Sequence, residues 1–396
     1  MHARVATGNF PQYELGVQVM PDTPDQTFEG IDLLDPTKLV PEELCPVRPV
    51  GTLTLNRNPD NFFAETEQVA FHPGHLVPGI AITDDPLLHA RLFSYLDTQI
   101  SRLGGPNFSQ IPINRPLAPV NDNNRDGIGQ HAVHTGVISY TPNSLGGGCP
   151  YAAPGAGSYT HPPVPMARNA TKIKLRPASF DDHYSQATLF YRSLSPVEQD
   201  HVAGAFSFEL GKCVSPGIQA RMVANLGNVD SGLAEQVAAH LGISAPAGKV
   251  VEPAVVSAAL SMDRPQDPIV SGRVVAILAN EDTPARVVNA YRAAADPLGV
   301  EVIVIGPHFG TLANGLPIDR SAHISDPVEY DGVVLATDPD EAAADFVHEA
   351  FRHHKTIGFT DSAMIDTLGL PANAAGVTLS PDDFFAALGE HRHWNR

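Results

Sequence analysis

Between Arg273 and His354 the chain alternates two kinds of segment, and this alternation constrains the fold more than anything else in it. "VVAILA" at 274–279 is an uninterrupted apolar run too short for a buried helix, and "TPARVVNAYRAAADPLG" at 283–299 has helical spacing and stops at glycine. "VEVIVIG" and "YDGVVLAT" repeat the strand pattern, and "DEAAADFVHEAFRHH" repeats the helical one. A strand without polar alternation is buried on both faces, and strands joined through helices run parallel by right-handed crossovers. Residues 272–396 are therefore expected to form an α/β, doubly wound domain of flavodoxin-like type.

The preceding sequence follows a different grammar. Residues 1–116 carry short runs such as "YELGVQV" and "VGTLTLNRN" between Pro, Asn and Asp, which reads as antiparallel strands and long loops. One helix interrupts them, starting at Asp84-Asp85-Pro86 and running through "LLHARLFSYLDTQISRL". Residues 117–185 are mostly rich in Pro, Gly and Asn and lack periodicity, yet Tyr140, Tyr151 and Tyr159 suit an arm lying against another surface. Residues 186–250 read as a helical domain, with Ser or Asp near the helix starts, and 251–271 as a linker.

At 396 residues, 43% of them hydrophobic, the chain is long enough for two or three cores. Its formal charge of −19 argues against nucleic acid and anionic lipid as partners, since both require clustered Lys and Arg. No run approaches the roughly 20 apolar residues of a membrane helix, and "MHARVATGNF" lacks the apolar core of a signal peptide. Cys45, Cys149 and Cys213 are odd in number and far apart, so neither a disulfide framework nor a thiolate metal site is indicated and a cytoplasmic location is expected.

Arg91 and Tyr95 stand four apart in the helix, a rotation of about 400°, so their side chains can meet. The pair reads either as an arginine stacked on a core aromatic or as a guanidinium that keeps a phenol oxygen ionised. A free tyrosine titrates near ~10, so a phenolate ligand at neutral pH needs both a cation and a metal. Ferric haem iron is such a metal, and tyrosine is the axial ligand of catalase in the general catalogue of haem ligation.

"RLFSYLDTQ" at 91–99 resembles the proximal haem-ligand signature of monofunctional haem catalases, Arg-x-Phe-x-Tyr-x-Asp-small-Gln, at every fixed position. "LNRNPDNFFAETEQVAFHPGH", "GGPNFSQIPINRP" and "YTPNS" resemble that family's flanking segments, and the doubly wound C-terminal domain narrows the resemblance to its large-subunit branch. The resemblance implies a haem cofactor, b or a modified chlorin, and disproportionation of hydrogen peroxide to water and oxygen. It also implies a homotetramer with interwoven arms, and for 1–116 a partial antiparallel β-barrel carrying the proximal haem helix. Carried onto this chain, Tyr95 becomes the iron ligand, Arg91 its charge partner, and Arg102 a contact to a haem propionate. His72 falls where some large-subunit members join a histidine to the tyrosine Cβ; the other reading is a histidine that only packs there. Asp97 and Gln99 read as structural.

The chemistry also requires a distal acid–base group that moves a proton between the two peroxide oxygens. The family supplies it from sequence N-terminal to the region resembled here, so the chain is expected to be a C-terminal portion without distal catalytic residues, and no catalytic residue is assigned. Two rival readings are a non-catalytic haem-binding or oligomer-assembly module, and an amidotransferase-like hydrolase domain. The latter needs a cysteine in a strand-to-helix turn; the candidate turn "IGFTDSAM" has none, and none follows Cys213. "HEAFRHH" at 348–354 misses the zinc-protease spacing, because Arg352 stands four residues after His348. "GGG" at 146–148 and "GPHFG" at 306–310 lack the spacing of a phosphate loop.

Overall fold

The computed structural model describes every residue except 78, 118–123, 126, 132, 134–136, 138–172, 174, 254 and 264–267. Tyr140, Tyr151, Tyr159, Cys149, "YTPNS" and the "GGG" run lie outside the described residues. Two units are distinct, Met1–Ser261 and Met262–Arg396.

The first unit opens with helix α1 (His2–Ala6) and strands β1 (Gln12–Val17), β2 (Thr27–Phe28), β3 (Ile31–Asp32) and β4 (Arg48–Thr54). β1 pairs antiparallel with β4, setting Tyr13 opposite Leu53, and β2 pairs with β3. The antiparallel strands read from the sequence are thus two separate ribbons, and no closed barrel forms among the described residues. Helix α2 (Pro86–Leu103) begins where its signals placed it. The Asp85 carboxylate accepts from the Leu87 amide at 2.8 Å, proline fills the first turn where no amide is needed, and Gly104 ends the helix at φ +79°.

Four helices follow: α3 (Ser185–Ser193), α4 (Pro196–Gly211), α5 (Pro216–Val229) and α6 (Ser231–Leu241). Ser195 and Glu198 form a reciprocal capping box at α4, and Asp230 caps α6. Their apolar faces meet around Ala203, Val223, Leu233 and Val237. The loop at 35–39 is clamped to this region by Asp35, which accepts hydrogen bonds from Ser179 and Thr37 and pairs with Lys38 at 3.4 Å. Burial would raise the Asp35 pKa, yet these donors and the Lys38 charge bring it down to about 2.

The second unit contains β5 (Val274–Leu278), α7 (Ala285–Ala295), β6 (Glu301–Gly306), β7 (Gly310–Thr311), β8 (Pro317–Ile318), β9 (Arg320–Ser321), β10 (Gly332–Leu335), α8 (Glu341–Arg352), β11 (Thr356–Phe359), α9 (Ser362–Thr367), β12 (Val377–Thr378) and α10 (Pro381–Leu388). Six strands form one parallel sheet in the order β12-β11-β10-β5-β6-β9. The two-residue pleat divides each strand between two cores. Val275 and Ile277 face α7 and α10, with Tyr291 and Phe384, whereas Ala276 and Leu278 face Phe346 and Val347 of α8. The chain is therefore a mixed α/β protein whose parallel sheet is covered by helices on both faces.

Candidate functional site

Arg91, Tyr95, Gln99 and Arg102 follow one stripe of α2, and each makes a contact that fixes the helix to itself or to the segment 67–75. Arg91 Nη2 donates to Tyr95 Oη at 3.3 Å, and its guanidinium carbon lies 5.1 Å from the ring centroid. A ring contact and a hydrogen bond thus occur together in this pair. Phe71 meets the Tyr95 ring edge-on at 5.5 Å. Both Arg91 and Tyr95 are half-buried.

Gln99 is the only buried residue of α2, and its Nε2 donates to the Phe71 carbonyl at 2.8 Å. Arg102 donates to the Glu67 carbonyl at 2.6 Å, to the Val69 carbonyl, and to Gln99 Oε1 at 2.9 Å and 3.2 Å. Of the five guanidinium N–H groups, these contacts leave one on Nη1. The expected propionate contact would therefore come from a residue already holding α2 to its neighbour.

His72 completes the strap from the other side, donating from Nε2 to the Leu92 carbonyl at 2.9 Å and accepting on Nδ1 from the Gly74 amide at 2.9 Å. A carbonyl can only accept and an amide can only donate, so the proton sits on Nε2. The His75 ring lies 4.9 Å from that of His72, and burial, followed by the neighbouring His72 and His131, lowers its pKa. The strap was partly visible in the sequence, since 91, 95, 99 and 102 keep helical spacing; the carbonyls they reach were not.

The other motifs take structural places. His348 Nε2 donates to the Leu368 carbonyl at 2.8 Å, and His353 pairs with Glu349 at 2.9 Å. No group of three or more His, Cys, Asp or Glu side chains comes together as a metal site among the described residues. Thr360 stands between β11 and α9, but it is not among the residues held at positive φ, so the strained turn of a nucleophile elbow is not formed there. An apolar cavity of about 440 Å³ opens beside Pro86, Leu87 and Ala90 of α2 and Phe180; Tyr95 does not line it. No helix among the described residues is long and apolar enough to cross a membrane.

The pair thus presents a phenol oxygen, with a guanidinium donating to it, on a helix strapped to the segment 67–75. Comparison with known families gives these parts a context. The catalase family model matches residues 1–147, the catalase-related immune-responsive model residues 177–241, and the model of the C-terminal domain found in long catalases residues 271–396. The chain belongs to the catalase family. Within it, the C-terminal match and the similar relatives point to the large-subunit branch. It is 44% identical to catalase HPII of Pseudomonas putida, over 99% of this chain and 58% of that protein. It is 42% identical to catalase HPII of Mycobacterium avium and 41% identical to catalase-2 of Bacillus subtilis, each over 99% of this chain and 60% of the relative. The chain thus spans about 60% of the length of the curated relatives it matches.

Proposed function

We propose that the chain carries the proximal haem face of a catalase that disproportionates hydrogen peroxide to water and oxygen. The observation that carries this reading is the Arg91–Tyr95 pair, set on a helix strapped by Gln99, Arg102 and His72. The donor set fits ferric haem: a single phenol oxygen, which would be anionic when coordinated, with a fixed cation beside it. When bound, haem, b or a modified chlorin, would supply the redox chemistry.

Everything else falls to the polypeptide. Tyr95 would hold the iron from one side. Arg91 would compensate the ligand's negative charge, and its contact with the ring restricts the rotation of the phenol. His72 would fix the depth of α2 against 71–75, whether or not it also bonds to the Tyr95 Cβ. Arg102 would offer its remaining N–H to a propionate. Proton transfer between the peroxide oxygens would need a distal acid–base group, a role assigned to none of these residues.

In this reading residues 1–116 form part of an antiparallel barrel, 117–185 a wrapping arm, 186–250 a helical domain, 251–271 a linker and 272–396 a flavodoxin-like domain. The whole works as a homotetramer. The free thiols of Cys45 and Cys213 fit a reducing cytoplasm. A second reading, a haem-binding or assembly module without turnover, is favoured by the exposure of Tyr13, Leu15, Leu53, Phe62 and Phe63.

Oxygen evolution from hydrogen peroxide, normalised to bound haem, separates the two readings. For the chain assembled with the remaining sequence of a long catalase, evolution lost in Tyr95→Phe supports the enzyme. Haem retained with no evolution in that assembly supports the module.

A further inference from the structure

The C-terminal tail is pinned to the second unit by more polar contacts than chain closure requires. Arg396 donates to the carbonyls of Phe351 at 2.6 Å, Lys355 at 3.1 Å and Ala375 at 3.3 Å, and its guanidinium lies 4.0 Å from the Phe351 ring centroid. The His393 amide donates to the His354 carbonyl at 2.9 Å, while His354 Nδ1 meets the His393 carbonyl at 3.0 Å. The His393 ring is buried at 2% exposure, with Nε2 at 2.9 Å from Thr356 Oγ1 and Nδ1 at 3.2 Å from Glu390. It fills the space over Gly376, which at φ +75° lacks the Cβ that would overlap the ring. His391, which is not glycine, is held at φ +66° within the tail, so docking carries backbone strain that release would relieve.

We propose that residues 390–396 are a pH-sensitive latch, docked while the buried His393 imidazole is neutral and released when it is protonated. The surroundings decide the sign. Within the tail, Arg392 and Arg396 oppose a further positive charge, and Glu390 is the carboxylate in contact, mostly exposed and so screened by water. From β11 comes Thr356, preceded by the buried Lys355. From α8 and the turn after it come Glu349, which already pairs with Arg352 and His353, and His354. Asp331, ahead of β10, is shared between His391 at 3.4 Å and Arg273 at 3.8 Å. Burial pushes the His393 pKa below its ordinary value against the pull of Glu390, and both arginines add to the lowering. A released imidazole binds its proton more readily than the docked one, so docking is lost as pH falls from the ordinary histidine range through the lower docked pKa.

Trp394 is the only tryptophan of the chain and packs against the His354 ring, with centroids 5.1 Å apart and planes tilted by 49°, so it reports directly on the latch. Its emission is followed in the haem-free full chain from pH 8 to 4.5, with far-ultraviolet circular dichroism monitoring the sheet. The expected result is a reversible red shift, its midpoint below ~6.5, with the sheet signal retained, abolished in His393→Gln and kept in His391→Gln. Acrylamide quenching of Trp394 in the unsubstituted chain should rise over the same pH range, and this needs no variant. Emission and quenching that stay flat, a transition unchanged in His393→Gln, or a shift that coincides with loss of the sheet signal would each overturn the proposal.

Discussion

Lys355 carries an amino group into the second unit at 4% exposure and donates to the carbonyls of Pro327 at 2.5 Å and Tyr330 at 2.6 Å. Burial brings its pKa down from 10.5 to about 8, and the nearby Arg392 acts in the same direction. The folded chain therefore binds this proton less tightly than the unfolded chain does. Between these two values the unfolded state holds more protons, so unfolding free energy should rise with pH from about 8 towards 10.5. Urea unfolding of the second unit at several pH values in that window checks this, and Lys355→Met should flatten the slope. Tyr291 presents the opposite case, a buried hydroxyl with no partner, its pKa pushed up to about 12 by burial. Removing an unsatisfied buried hydroxyl relieves a desolvation cost of roughly 1–3 kcal/mol, so Tyr291→Phe should leave stability unchanged or raise it. A clear loss of stability in the same unfolding measurement would contradict this account of the site.

Among the elements, α2 depends on its ends and its strap more than on a buried face, because Gln99 is its only buried residue. Asp85→Ala removes the N-cap and should cost about 1 kcal/mol of helix stability. Gln99→Ala should cost about 1–3 kcal/mol, since it takes the donor from the Phe71 carbonyl and an acceptor from the charged Arg102 guanidinium. Chemical denaturation of both variants, followed by a probe in the first unit, tests the order of these effects. The start of α2, the Arg91–Tyr95 spacing, β5, β6, β10, α7 and α8 were all legible, because each has a local signal: a cap, an i, i+4 pair or an apolar run. Strands β9 and β12 were not, since two residues carry no period and only pairing with β6 and β11 defines them. Helix α10 escaped notice although Ser380 and Pro381 mark its start. The carbonyls bound by Arg102 and His72 belong to distant or adjoining backbone, and no side-chain pattern encodes them.

Across the whole molecule the two units are built differently. The second has two cores divided by a sheet, whereas the first leaves Tyr13, Leu15, Phe62, Phe63 and Phe93 exposed around short ribbons and α2. In the homotetramer proposed above, such exposed apolar side chains would be covered. Titration of the purified chain with hemin, read by resonance Raman scattering, tests whether Tyr95 holds haem iron. One haem per chain is expected, with iron–phenolate vibrations that vanish in Tyr95→Phe and persist in Tyr13→Phe. An unchanged spectrum and affinity in Tyr95→Phe would contradict it.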